Sequence, residues 1–165
     1  PCFAVSVALA RGAVPVLGVV YEVSRDECFR GVEGQGAFLN DKPIRVSEAA
    51  SIEDTLIATG LPFYKFTHAD AYLKILYEYM QHSRGIRRWG SAATDLAYVA
   101  CGRFDSYFEF NINAYDVAAG ILLVREAGGF VEGIRDGDDP LESGRLIAAN
   151  PQIFEPLAKV IRSRD

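Results

Sequence analysis

Hydrophobic and polar residues alternate along residues 104–110, a stretch rich in aromatic side chains, and this pattern is typical of a β-strand. Further along, apolar residues recur with helical spacing within residues 114–127: Val117, Ile121 and Val124. A glycine pair that begins at Gly128 is typical of a helix end. The pattern predicts a strand, a short polar turn and a helix, around which we expect the rest of the chain to be organised.

Short apolar stretches separated by turn residues fill the first fifty positions: 3–10, 14–23, 27–31, 36–40 and 44–46. Closely spaced runs of this kind are typical of antiparallel strands joined by hairpins. We therefore expect residues 1–50 to form an antiparallel meander that belongs to a first sheet.

From Ser51 onward strand patterns alternate with helical patterns, which is typical of a layered α/β protein. Strands are predicted at residues 55–60, 86–89, 129–132 and 146–149. Helices are predicted at residues 67–81, from Ser91 up to Gly102, and from the Asn150-Pro151 pair to Ile161. We expect residues 51–165 to form a C-terminal α/β half-domain.

The chain has 165 residues, half of them hydrophobic, and a formal net charge of −5. This charge excludes a chain-wide basic field, so we expect no nucleic-acid partner. No apolar run reaches the roughly 18 residues that suggest a membrane span, and no stretch has a secretory-signal pattern, so no membrane association is expected. The three cysteines form no close pair, which favours reduced thiols in a cytoplasmic protein.

The chain begins at Pro1 without a methionine and enters an apolar strand pattern within three residues. A natural terminus rarely starts inside a core strand that no turn or cap precedes. We therefore expect this chain to be the C-terminal part of a longer polypeptide.

Two carboxylates flank the turn between the predicted strand and helix of residues 104–127. Glu109 lies near the end of the strand, and Asp116 falls in the first helical turn, where backbone N–H groups and the helix dipole favour an ionised carboxylate. The ionised form is the one that binds a hard cation. The alternative interpretation is an acidic residue that only stabilises the helix start, together with a solvated glutamate.

A second helix start is predicted at Ser91, which is a natural N-cap residue. Gly90 precedes it and would let a ligand approach the free N–H groups of the first helical turn. An ordinary helix cap explains the same residues without any ligand.

Several motifs stand in one order along the chain: Phe3 to Leu9, Gly34 to Asn40, Gly90 to Ala93, Tyr115 to Gly120, Glu126 to Gly129 and Ile147 to Asn150. In order and approximate spacing they resemble the signatures of the inositol monophosphatase family of magnesium-dependent, lithium-sensitive phosphatases. The resemblance covers essentially the whole chain. It implies a layered α/β fold, a sugar-phosphatase-like αβαβα sandwich that here lacks its N-terminal portion.

The resemblance also implies roles for individual positions. Asp116 matches a magnesium ligand, and Glu109 matches a glutamate that hydrogen-bonds a substrate hydroxyl. The helix start at Gly90, Ser91 and Ala92 matches a segment that contacts the inositol ring.

The family's other metal ligands and its catalytic threonine are expected before Pro1. The resemblance therefore implies no catalytic residue within this chain and no activity of the chain alone. It also places Arg87 beside the site, as an interface or positioning residue, and implies a homodimer.

The function implied for the parent protein is Mg²⁺-dependent hydrolysis of a phosphorylated polyol, with inositol 1-phosphate as the first candidate. Alternative substrates within the superfamily are phosphoadenosine nucleotides, fructose 1,6-bisphosphate and histidinol phosphate. A non-catalytic binding or assembly module is the alternative of another class.

Overall fold

A computed structural model of the protein describes residues 3–61, 66 and 68–165. The strands, numbered in chain order, are β1 (Ala4–Arg11), β2 (Val14–Glu22), β3 (Glu27–Val32), β4 (Ala37–Leu39), β5 (Lys42–Pro43), β6 (Leu56–Thr59), β7 (Gly85–Arg87), β8 (Ser106–Phe110), β9 (Phe130–Gly133) and β10 (Arg145–Ala149). The helices are α1 (Ala69–His82), α2 (Ala92–Ala100), α3 (Ala114–Glu126), α4 (Pro140–Ser143) and α5 (Phe154–Arg162).

The first sheet is an antiparallel meander in the order β1-β2-β3-β4-β5, because each strand pairs with its neighbour in the chain. Its inner face contacts α3. On β1, alternate side chains point to the other face, and Val5, Val7 and Leu9 there are 55–61% exposed. The outer face of β1 is therefore apolar and open to solvent.

The second sheet has the order β7-β6-β8-β10-β9, with β6 parallel to both of its neighbours and the remaining pairs antiparallel. Its central strand β8 is buried along its whole length. Tyr107 contributes to one hydrophobic core, and Phe108 and Phe110 contribute to the other. This period-two division shows that both faces of the sheet are covered.

The helices complete a layered arrangement. α2 and α3 contact each other and strands of both sheets, so they form the layer between them. α1 and α5 contribute the buried side chains of the core on the far face of the second sheet. The order of layers is sheet, helices, sheet, helices, which confirms the predicted layered α/β class. The proposed division into domains at residue 50 stays a prediction.

The middle layer depends on residues without bulky side chains. A Cβ atom added to Gly120 of α3 would lie 2.5 Å from Leu96 Cβ and 2.7 Å from Leu96 Cδ1 of α2. On β2, a Cβ atom at Gly18 would lie 2.9 Å from the Ala119 carbonyl oxygen. The small run at residues 118–120 therefore lets α3 approach both a helix and a strand.

We expect Gly120→Ala to destabilise the protein although alanine is the better helix former. The gain in helix propensity is about 1 kcal/mol, whereas overpacking a tight core contact costs about 1–3 kcal/mol. Urea unfolding measures the balance. Combining Gly120→Ala with Leu96→Gly, which removes the Leu96 Cβ and Cδ1 atoms of both close contacts, should cost less than the sum of the single changes. A stabilised single variant would show that α2 and α3 do not pack this closely.

Several predicted element boundaries differ from the structure. The strand predicted at residues 44–46 lies instead at Lys42–Pro43. The last helix begins at Phe154 because the Asn150 side-chain oxygen accepts hydrogen bonds from the N–H groups of Gln152 and Ile153, at 2.9 and 3.2 Å, and so forms a separate turn. The helix predicted from residue 67 begins at Ala69, and Thr67 lies outside the described residues.

In the part of the chain that the structure describes, no helix has both the length and the apolar character that crossing a membrane requires.

Cys28 and Cys101 are free thiols and half-buried, and Cys2 lies outside the described residues.

Candidate functional site

A cleft of about 540 Å³ lies where β6 and β8 end and α2 and α3 begin. β6 and β8 are parallel, so their carboxyl ends reach the same edge of the second sheet, a usual place for ligands in α/β proteins. The five residues that the sequence assigned to metal or substrate binding all line this cleft: Gly90, Ser91, Ala92, Glu109 and Asp116. Their roles remain predictions, but the fold brings all of them together.

The start of α2 forms one wall. Gly90 has a φ of +99°, a conformation that glycine adopts easily, and it turns the chain into the helix. The Ser91 hydroxyl accepts a hydrogen bond from the Thr94 N–H at 3.4 Å and caps the helix as predicted. The N–H groups of the first helical turn lack partners within the helix and favour an anion.

The segment before α2 is held by Trp89. The Arg25 guanidinium carbon lies 4.9 Å from the centroid of the Trp89 ring, and the Tyr98 ring centroid lies 6.0 Å from it. These contacts fix Arg88 and Gly90, on either side of Trp89, at the cleft.

The start of α3 forms the opposite wall. Asn111 ends β8 in the left-handed conformation, with a φ of +63°, which asparagine tolerates better than most residues. The Asp116 N–H donates to the Asn113 carbonyl oxygen at 3.0 Å, which starts the helix. The Asp116 side chain is half-buried in the first turn, where the helix dipole favours its charge.

Glu109 lies deeper than a solvated strand-end residue, with 9% of its surface exposed. The Tyr107 hydroxyl donates a hydrogen bond to its Oε2. Burial raises the pKa of Glu109, and the charge of Asp116 raises it further, whereas the Tyr107 hydrogen bond and the charge of Arg88 lower it. Burial holds the pKa of Tyr107 well above its usual range, so this hydroxyl remains a donor.

Asp95 of α2 also lines the cleft, and the sequence analysis assigned it no role. It is 1% exposed, and its Oδ1 has no hydrogen-bond partner among the described residues. Burial raises its pKa to about 8, and the charge of Glu109 adds to this, while Arg88 and the Ser91 backbone oppose it. Burial therefore favours the protonated form of Asp95. An acidic residue within the small and apolar run of residues 92–100 was the sequence signal for it.

The profile of the inositol monophosphatase family matches residues 1–165. The chain belongs to the inositol monophosphatase family. An inositol-1-monophosphatase of Mesorhizobium japonicum is 44% identical over 162 residues, which cover 98% of this chain and 61% of the relative. A putative Nus factor SuhB of Neisseria meningitidis serogroup B is 42% identical over 161 residues, 98% of this chain and 62% of the relative.

Solved structures agree with this family. The extragenic suppressor protein suhB of Bartonella henselae superimposes with a TM-score of 0.92 at 45% identity, over 97% of this chain and 61% of that protein. The chain thus spans about three fifths of the length of the relatives that it matches.

The described residues of the cleft do not by themselves form a complete magnesium site. Magnesium prefers six oxygen ligands in octahedral geometry and is commonly held by carboxylates together with waters and phosphate. Among the residues described here, no group of three or more histidine, cysteine, aspartate or glutamate side chains is placed to hold a metal ion. Asp116 can offer one carboxylate, which does not hold magnesium by itself.

Two further residues of the cleft differ from the sequence interpretation. Arg88 lines the cleft, and the sequence analysis assigned it no role. Arg87, which the resemblance places beside the site, is not among the lining residues, and its role stays a prediction. Arg87 lies on β7, and its Nη1 donates to the Ile86 carbonyl oxygen at 3.0 Å. Gly60, at the end of β6, lies beside Glu109 and was also missed. A glycine directly after a strand was its only sequence signal.

Proposed function

We propose that this chain forms part of the active site of a phosphatase that hydrolyses a phosphorylated polyol, with inositol 1-phosphate as the first candidate. The observation that carries the proposal is that two helix starts and the end of a buried strand converge on one cleft, with Glu109 and Asp116 on its walls. Family membership and a relative named inositol-1-monophosphatase support it.

In this proposal, one set of residues binds the phosphate group and another set binds the polyol. The first turns of α2 and α3 and the side chain of Arg88 supply positive potential for phosphate oxygens. Glu109 is the acceptor for a polyol hydroxyl, because its carboxylate is held by Tyr107 at the wall of the cleft. Ser91 and its neighbours border the space that the polyol would fill.

Magnesium belongs to the proposal for the full-length protein. Asp116 would contribute one ligand, and residues before Pro1 would supply the others together with the catalytic groups. Bound magnesium would supply positive charge opposite the phosphate oxygens. The 165 residues alone are expected to be inactive, and the full-length protein is proposed to be a cytoplasmic homodimer.

A second candidate is a binding or assembly module without turnover. Its support is that relatives of 41–42% identity carry the name Nus factor SuhB. A phosphate-release assay distinguishes the phosphatase from the assembly module, because a protein with only an assembly role releases no phosphate.

The test is phosphate release from inositol 1-phosphate by the full-length polypeptide and by the 165-residue chain, each with and without magnesium. We expect turnover only by the full-length polypeptide and only with magnesium. A panel with 3′-phosphoadenosine 5′-phosphate, fructose 1,6-bisphosphate and histidinol phosphate ranks the alternative substrates. Absence of turnover on all of them would favour the assembly module, and magnesium-independent activity of the short chain would refute the proposed site.

A further inference from the structure

The Glu109 carboxyl group occupies space that only a glycine at position 60 leaves open. A Cβ atom built on Gly60 would overlap the carboxyl carbon and both carboxyl oxygens of Glu109. The strand register explains this contact. β6 and β8 are parallel, with Ala58 opposite Tyr107 and Thr59 opposite Phe108, so Gly60 comes opposite Glu109 on the same face of the sheet.

Side-chain hydrogen bonds hold the backbone at Gly60 in place. The buried Tyr72 hydroxyl donates to the Gly60 carbonyl oxygen at 2.5 Å and lies 2.8 Å from Thr59 Oγ1. Thr59 Oγ1 in turn donates to the Phe108 carbonyl oxygen at 2.8 Å, on the strand that carries Glu109. Because the ends of β6 and β8 are tied together in this way, a side chain at position 60 displaces Glu109 more easily than it displaces the backbone.

Tyr107 restrains the same carboxyl group. Its side chain is fully buried, and its hydroxyl donates to Glu109 Oε2. The Glu109 carboxyl group thus packs against the Cα atom of Gly60 and accepts a hydrogen bond from the Tyr107 hydroxyl. Both restraints therefore act on the orientation of the same carboxyl group.

We propose that Gly60 is a positioning residue, which together with Tyr107 sets the orientation of the Glu109 carboxyl group and so makes the cleft favour polyol phosphates over phosphates that lack a polyol hydroxyl. This inference rests on the proposed function, because the hydroxyl partner of Glu109 is part of that proposal. It makes the end of β6 a determinant of substrate selectivity, although no side chain of Gly60 touches the ligand.

The experiment compares Gly60→Ala with wild type in the full-length polypeptide, using inositol 1-phosphate and p-nitrophenyl phosphate, which has no polyol hydroxyl. We expect kcat/KM for inositol 1-phosphate to fall about 10- to 100-fold, since a misplacement near 1 Å can cost that much. Turnover of p-nitrophenyl phosphate should change less than about threefold. Gly31→Ala is the matched control, because its added methyl group would have Leu123 Cδ2, at 3.3 Å, as its nearest contact.

A double-mutant cycle separates positioning from general damage. In a Glu109→Ala background, Gly60→Ala should have little further effect on either substrate. Equal losses on both substrates in both backgrounds would overturn the inference. Tyr107→Phe removes the hydroxyl without adding atoms, so it should reproduce the selective loss even if Gly60→Ala folds poorly.

A crystal structure of Gly60→Ala gives a readout that does not depend on turnover. We expect the Glu109 carboxyl carbon to move by about 1 Å or more and to lose the Tyr107 hydrogen bond, and an unmoved carboxyl group would contradict the inference. If Glu109 moves but wild type hydrolyses neither phosphate, the proposed function fails while the positioning role of Gly60 stands.

Discussion

Asp116→Ala in the full-length polypeptide is expected to lower magnesium-dependent phosphate release by ~100-fold or more. Replacing residues that merely orient metal ligands already costs about 10- to 100-fold, and Asp116 is proposed to be a ligand itself. Its position in the first turn of α3 leaves no other acidic side chain on that turn to replace it. Initial rates measured across a magnesium titration test the expectation.

The matched control is Asp70→Ala, which removes an exposed acidic residue from the first turn of α1. Both variants lose a favourable interaction with a helix dipole, but only Asp116 lines the cleft. We expect the Asp70 variant to keep its activity and both variants to remain folded by circular dichroism. If Asp116→Ala retains more than half of the wild-type rate, the ligand assignment is wrong.

The second large effect concerns stability. Asp95→Asn is expected to raise the free energy of unfolding at pH 8 by about 2 kcal/mol and to have a much smaller effect at pH 5. The pKa of Asp95 is raised to about 8 by burial, whereas an exposed aspartate titrates near 4. Between these values the folded protein keeps a proton that the unfolded chain releases, so stability falls as pH rises through the interval.

Asparagine carries no charge at either pH, so the free energy of unfolding of the variant does not fall with pH through this site. Each pH unit between 5 and 8 is worth at most ~1.4 kcal/mol, and structural relaxation around a buried charge reduces the total. Urea unfolding at the two pH values gives the difference directly. Asp70→Asn, the same substitution at an exposed position, is the matched control. Equal effects of Asp95→Asn at both pH values would contradict the raised pKa of Asp95.

The sequence predicted the centre of the fold well because two periodic patterns meet there. Alternation along residues 104–110 and helical spacing along residues 114–127 correspond to β8 and α3, with Asp116 in the expected turn. Strong periodicity over more than one turn or strand outweighs competing local preferences. The motifs at Ser91 and Glu109 could be placed for the same reason, since each lies at an element end that the pattern defines.

Other features depend on contacts that a one-dimensional pattern does not show. Asn150-Pro151 has the residues of a helix start, yet the Asn150 side chain closes its own turn first. Asp95 looks like a normal first-turn acid in sequence, and only the packing of α2 between two sheets reveals that it is buried. Gly60 lies beside Glu109 only because of the register between β6 and β8. These strands are separated by 46 residues of chain between Thr59 and Ser106, so the sequence pattern does not show the contact.

The stacking of Arg25 on Trp89 has a practical consequence for spectroscopy. Trp89 is the single tryptophan of the 165 residues, and both of its chain neighbours line the cleft. A phosphate ligand that engages Arg88 would alter the electric field and the local motion at the indole ring. We therefore expect the intrinsic fluorescence of Trp89 to change when a phosphate ligand fills the cleft, which would allow ligand titrations without a label and without turnover.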